Sequence, residues 1–251
     1  NYLRRHIRYV LRRPRENIII SLGCLDIMTV LEGADMNRRY HTFFFDLDGT
    51  ITDSEQGITN SVKYALNKFG IEEKDRTKLC EFIGPPLDIS FHKLYEFSTE
   101  QCWKAIGYFR EYYQEKGIFE NRVYDGLEEV LKKLRDADVR LVVATSKPEP
   151  YARKIIDYFR LTPYFDYVAG MELDGRRKTK AEVIQYALEA CKIKDKSSVL
   201  MIGDREHDVF GAKTAGIDCL GIIYGYGNRE ELEEAGADYI EESVEDILKY
   251  C

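Results

Sequence analysis

The sequence predicts an α/β protein built on a doubly wound parallel sheet, with an α-helical cap domain inserted after the first strand. Three observations predict it. Short apolar runs rich in β-branched and aromatic residues recur from Tyr40 onward, nearly uninterrupted, as strands covered on both faces require. Longer segments with apolar residues at helical spacing lie between them. One interval, residues 54–124, carries several helical patterns and no buried-strand run, far more chain than a loop in a compact domain needs.

Taken in order, the first strand is "HTFFF", and the insertion follows with "GITNSVKYALNKFG", "DRTKLCEFIG", "LDISFHKLYEF" and "TEQCWKAIGYFREYYQEKG". Ligands bind at the carboxyl ends of strands in open α/β sheets, so an insertion at that point emerges beside the expected site and is a candidate lid. The sheet resumes at residue 125. In "DGLEEVLKKLRDAD", Leu127, Val130, Leu131 and Leu134 share a helical face, and Asp125 with Glu128 has capping-box spacing. "RLVVA" and "YFDYVAG" are the next strands. In "TKAEVIQYALEACK", Val183, Ile184, Ala187, Leu188 and Cys191 form another helical face, before the strands "SSVLMIG" and "DCLGIIYG". Strands alternating with helices in this way make a Rossmann-like core, here residues 36–53 and 125–251, with the cap at 54–124.

Charge narrows the partners. The formal net charge is −7, and the first 35 residues, with six Arg against four acids, depart from it at +2. An acidic body lacks the clustered cations that displace counterions from nucleic acid, so no nucleic-acid partner is expected. The longest apolar stretch, "IIISLGCL", is well short of the ~20 residues a bilayer demands, so no membrane partner is expected either. Six cysteines stand without a C-x-x-C pair or a histidine at metal spacing, which suits buried thiols in a reducing, cytoplasmic setting. Residues 1–35 read as an extension outside the fold. Translation from Met36 is the first explanation; a cleavable targeting peptide and a basic docking arm are its rivals.

The chemistry gathers at four strand ends. The first delivers Asp46 and Asp48 before Gly49 and Thr50; the second, "RLVVATSKP", delivers Thr145 and Ser146. The segment after the third carries Lys178 and Lys180, and the fourth, "VLMIGDREHD", delivers Asp204 and Asp208. Two carboxylates one residue apart repel unless a cation lies among them. If Asp46 and Asp204 share one hard divalent ion, Mg2+ being the best fit, the repulsion is relieved and a phosphate can be drawn in. One oxygen of Asp46 then remains free to attack phosphorus. Asp48 is placed to protonate the leaving oxygen and later to activate water. The Thr145 hydroxyl and the amides near Asp48 and Ser146 can donate to phosphoryl oxygens. Lys180 offers a positive charge beside Asp46. Asp208 binds the metal directly, binds it through water, or orients Lys180.

Bland readings stand beside these. Lys178 competes with Lys180, which is preferred because it opens the amphipathic helix. Ser146 and Lys147 read as a polar turn before Pro148, although the Ser146 amide can still meet phosphate. His207, His41 and His92 read as surface residues. Tyr108, Phe109, Tyr112 and Tyr113 read as packing, Gly84, Pro85 and Pro86 as a rigid turn. Arg176 and Arg177 serve either a second substrate charge or a solvated turn.

"DLDGT", "VVATSK", "KAEVI" and "GDREHD" resemble, in their usual order, the four motifs of the haloacid dehalogenase superfamily. The resemblance runs from about Met36 to the C-terminus, and the combination is specific although each piece alone is weak. It implies Asp46 as nucleophile, Asp48 as acid/base, Thr145 as phosphate binder, Lys180 as motif lysine, and Asp204 with Asp208 as the acidic metal site. It also implies a metal contact through the backbone carbonyl of Asp48. A helical cap after the first motif, "IGPPLDISF" within it and "GDREHDVFGAKTAGI" later are similar to phosphoglycolate phosphatases and 5'-nucleotidases of that family. The expectation is a Mg2+-dependent phosphatase of a small phosphorylated metabolite, phosphoglycolate or a nucleoside 5'-monophosphate. A phosphomutase, a phosphotyrosine phosphatase and a noncatalytic binding module are the alternatives, and a dehalogenase suits the acidic pair less well.

Overall fold

A computed structural model describes residues 39–173 and 177–251. The 1–35 extension lies outside the described residues. The elements in chain order are β1 (Thr42–Phe45), β2 (Thr52–Asp53), α1 (Glu55–Asn67), α2 (Arg76–Cys80), α3 (Leu87–Tyr95), α4 (Thr99–Glu115), β3 (Arg122–Val123), α5 (Leu127–Asp136) and β4 (Arg140–Pro148). Then come α6 (Glu149–Tyr158), β5 (Tyr167–Met171), α7 (Lys180–Ala190), β6 (Val199–Gly203), α8 (Glu206–Ala215), β7 (Asp218–Ile222), α9 (Arg229–Ala235) and β8 (Tyr239–Glu241).

Six strands form one parallel sheet in the order β5-β4-β1-β6-β7-β8. β1 is central because its three phenylalanines serve both faces: side chains alternate along a strand, so Phe43 and Phe45 enter one core layer and Phe44 the other. All three are fully buried, each stabilising the fold by roughly 1.5–3 kcal/mol through burial alone. The Phe44 layer, with its register partners Val142 and Met201, is covered by α7, α8 and α9. The opposite layer is covered by α5 and α6, and its apolar cluster runs on into the inserted helices. Helices on both faces are what a doubly wound sheet requires. The chain winds outward from β1 to β4 and β5, then crosses back to β6 and winds the other way. The switch between β1 and β6 opens a crevice at their carboxyl ends.

The insertion is helical as expected. α4 opens on a capping box, Ser98 accepting from the Gln101 amide while Gln101 returns the bond. Phe82, Phe91 and Phe97 pack ring against ring, with centroids 4.8 and 5.7 Å apart. The chain enters this region through β2 and leaves it through β3, and the two strands pair antiparallel.

Local expectations fail in a few places for identifiable reasons. Asp125 does not cap α5: the N-cap is Gly126 at φ +81°, and a Cβ there would stand 2.7 Å from the Glu245 carboxylate. "YFD" of the third run is not strand, because Pro163 seats a short 3-10 turn over Thr162–Tyr164 and pairing begins only where the Asp166 amide reaches Leu141 O. No helix among the described residues is long and apolar enough to cross a membrane.

Candidate active site

The ends of β1 and β6 bring their carboxylates together. Asp46 follows β1, its amide bonded to Ile202 O at 2.9 Å, which fixes it against the adjoining strand. Asp204 follows β6 and is fully buried. Asp208 sits in the first turn of α8, where it accepts from the Arg205 amide at 3.2 Å. Each of the three offers an oxygen, and these oxygens lie within 4.8 Å of one another. Lys180, the first residue of α7, reaches in beneath them, with Nζ 2.8 Å from Asp46 Oδ1, 2.6 Å from Asp208 Oδ1 and 3.2 Å from Ala144 O. Thr179 caps α7 by a second capping box, which sets where that lysine emerges.

The backbone around the carboxylates leaves no room to spare. Gly49 turns at φ +87°, and a Cβ there would stand 2.2 Å from Asp204 Oδ2; only glycine lets the turn after β1 pass so close. The Tyr226 amide donates to the same oxygen at 2.8 Å. A Cβ on Gly203 would meet Asp208 Cγ at 2.2 Å, and one on Gly211 would meet Lys180 Cγ at 2.5 Å.

Electrostatics follow from burial. Burial, joined by the charges of Asp208 and Asp46, drives the Asp204 carboxyl well above the carboxylate range. Burial, opposed by Lys180, pushes Asp208 up to about 6. Burial works against the Lys180 ammonium, but Asp208 and Asp46 together hold it above its ordinary value. Three carboxyls against one ammonium crowd acidic groups into a buried site. Oxygen-only donors at this spacing fit a hard divalent cation, which would relieve the cost that elevates Asp204.

Asp48 takes another partner. Its Oδ2 lies 2.6 Å from Lys147 Nζ, both side chains almost buried, while Oδ1 is buried without a hydrogen-bond partner among the described residues. Lys147 reads in sequence as part of a polar turn; β4 runs on to Pro148 with a break in register between Thr145 and Pro148, and the Lys147 side chain is carried inward to Asp48. The Lys147 ammonium also lies 4.9 Å from the Tyr113 ring of α4. Burial pushes the Tyr113 hydroxyl up to about 12. Thr145 Oγ1 accepts from the Lys147 amide at 3.1 Å, leaving its own proton to donate.

Above these groups opens a cavity of about 690 Å3, lined from the core by Asp46, Asp48, Thr145, Ser146, Lys147, Lys180 and Asp208, and from the insertion by Ile58, Phe82, Trp103, Ile106, Phe109, Arg110 and Tyr113. Lys178 is exposed where it borders the cavity, and its amide donates to Glu182 at 2.7 Å. Arg177 is committed: it pairs with Glu149 and Glu172 and stacks 3.8 Å over Tyr186. Arg176 lies outside the described residues. His207 lines the cavity, its imidazole held below the ordinary value by burial. Tyr108 and Tyr112 pack against Phe69 and Tyr64, whereas Phe109 and Tyr113, stacked at 5.3 Å, face the cavity. The Gly84-Pro85-Pro86 turn also lines it, and Arg205 ties that turn to the sheet layer by donating to Ile83 O at 2.9 Å and to Glu231 at 2.8 Å.

Known proteins resemble this chain in sequence and fold. Residues 43–222 match the family model described as haloacid dehalogenase-like hydrolase. A 5'-nucleotidase of Pseudomonas aeruginosa is 43% identical over 198 residues, 79% of this chain and 89% of the relative. Tyrosine-protein kinase PtkA of Mycobacterium tuberculosis is 37% identical over 196 residues, 78% of this chain and 66% of that protein. The crystal structure of a predicted phosphatase from Clostridium acetobutylicum superposes with a TM-score of 0.80 at 50% identity, covering 84% of this chain and 97% of that one.

Proposed function

The chain belongs to the haloacid dehalogenase-like hydrolases and is a phosphatase; from that premise we propose that it hydrolyses a small phosphomonoester, phosphoglycolate or a nucleoside 5'-monophosphate, through an aspartyl-phosphate on Asp46, with Mg2+ as cofactor. The observation that carries this reading is the placing of Lys180 between Asp46 and Asp208 within a cluster of three buried carboxylates. Asp46, Asp204 and Asp208 would hold the ion, joined by the Asp48 carbonyl. When bound, Mg2+ supplies the charge that lets a phosphate dianion approach carboxylates.

The residues divide the work. Asp46 attacks phosphorus, forming the bond from its carboxylate oxygen as the ester oxygen departs. Asp48, whose Oδ1 has no partner among the described residues, enters this step as the acid, gives its proton to that departing oxygen and is left as the carboxylate that pairs with Lys147. Water then enters, Asp48 takes its proton, and the acyl phosphate opens to phosphate and the restored Asp46. Thr145 Oγ1, already an acceptor, donates to a phosphoryl oxygen, as does the Ser146 amide. Lys180 stays protonated and offsets the charge on Asp46 throughout. The inserted helices act as the cap over this chemistry, with 36–53 and 125–251 as the core.

The same aspartyl-phosphate handed to a hydroxyl instead of water would give a mutase or a transferase, so free phosphate is the deciding product. The test is a panel of phosphorylated metabolites with Mg2+ and free-phosphate detection. Release of phosphate with multiple turnovers is expected; none from any ester would refute the reading.

A further inference from the structure

Resting on the hydrolase reading above, we propose that the cavity face of α4 is the leaving-group subsite: it takes a phosphomonoester of nucleoside size, whose ring stacks on Trp103 and presents acceptors to Arg110, in preference to a two-carbon acid.

Helical spacing builds the face. Trp103, Ile106, Arg110 and Tyr113 succeed one another at three, four and three residues, and all line the cavity. Its volume of about 690 Å3 falls among sites that enclose ligands of some twenty or more heavy atoms, within the ~300–1,000 Å3 range. A two-carbon phosphoacid would fill little of it. The walls that Ile58, Phe82 and Ile106 contribute reward apolar contact, which such an acid lacks. Trp103 is 62% exposed although it borders the cavity, so its ring face is available for stacking.

Arg110 supplies the polar reading. It is half-buried against this apolar wall and has no hydrogen bond, ion pair or ring contact among the described residues. The other guanidiniums lining the cavity are occupied, Arg177 by Glu149 and Glu172 and Arg205 by Glu231 and Ile83 O. A half-buried guanidinium has lost water from donors that nothing replaces, and its planar fork matches a pair of acceptors on one ring edge. Helical side chains lean toward the helix N-terminus, which carries Arg110 back toward Trp103. A carboxylate alone would satisfy Arg110 but leave Trp103 and the apolar wall without a role.

Trp103 is the single tryptophan of the chain, so its fluorescence reports this subsite directly. Full-length Asp46→Asn protein in Mg2+ is titrated with inosine 5'-monophosphate and, separately, with 2-phosphoglycolate. The nucleotide should quench the emission to saturation and the acid should not. Arg110→Ala should weaken the nucleotide about tenfold, with Arg110→Lys recovering part of the loss. With Asp46 intact, kcat/KM should favour the nucleotide, and Arg110→Ala should shrink that preference about tenfold. No quenching, an equal loss for both esters, or a native preference for phosphoglycolate overturns the subsite. Quenching in a protein that releases phosphate from no ester of the metabolite panel refutes the hydrolase reading and leaves the subsite standing; turnover without quenching does the reverse.

Discussion

The Lys147 ammonium lies 2.6 Å from Asp48 Oδ2 and 4.9 Å from the Tyr113 ring, joining the end of β4, the turn after β1 and the inserted helix α4 at one point. Burial weakens the ammonium, but the Asp48 charge more than restores it. Lys147 therefore holds Asp48 by an ion pair, and in the proposed scheme it would position that carboxyl rather than react itself. Lys147→Met should lower kcat about tenfold or more with Mg2+ saturating, leaving KM much less affected. An unchanged kcat in steady-state assays would show that Asp48 is held by other means.

Asp46→Asn keeps the shape of the side chain and removes the attacking oxygen's charge. Turnover should fall by on the order of 10^3 or more while the melting temperature stays close to the parent's. The assays are phosphate release and thermal melting; substantial remaining activity moves the nucleophile elsewhere.

Chelation gives the cofactor test. EDTA should abolish hydrolysis of an aryl phosphate and Mg2+ restore it, and saturating Mg2+ should raise the melting temperature by roughly 5–10 °C, as tight binding to the folded state alone would. Turnover that persists in EDTA after dialysis removes the ion from the scheme.

Two glycines with opposite surroundings test how tightly the carboxylates are seated. Gly203→Ala would drive a methyl to 2.2 Å from Asp208 Cγ, whereas Gly107 on α4 has nothing within 4 Å. The first should cut kcat about 10^2-fold and erase the thermal response to Mg2+; the second should leave both intact and stabilise the helix by up to ~1 kcal/mol. Equal behaviour of the two variants contradicts the seating.

In metal-free protein the Asp208 carboxyl binds its proton more tightly when folded, since burial raises it from 3.8 to about 6. Its contribution to stability is therefore complete below pH ~4, declines as pH rises toward 6, and is absent above. Asp204, raised in the same direction by burial, reinforces the trend. Melting in EDTA across pH 4 to 7 should show this decline, and Asp208→Asn, neutral throughout, should make it shallower, leaving the part due to Asp204. A wild-type profile parallel to that of the variant is the contrary result.

Much of this architecture can be read without coordinates, for physical reasons that also mark where reading stops. Strands buried on both faces betray themselves as apolar runs, so β1, β4, β6 and β7 stand out. β8, three half-buried residues ending in Glu241, and the two-residue strands β2 and β3 are too short to show a period. Asp46, Asp204 and Lys180 are legible because a strand end or a helix start fixes their place, and the structure brings them together. Lys147 is not, since its partner stands 99 residues away. Trp103 and Arg110 look like ordinary positions on an amphipathic helix until the cavity beside them exists.

The strands that admit and discharge the inserted helices pair with each other, and Arg122 clasps Asp53 across them at 2.9 Å. A detour that departs and returns at one doorway can be lengthened, trimmed or exchanged while the host sheet keeps every register. Selection can thus retool which ester is admitted without rebuilding the furnace beneath, and recombinant swaps made at residues 53 and 122 have a natural seam to follow.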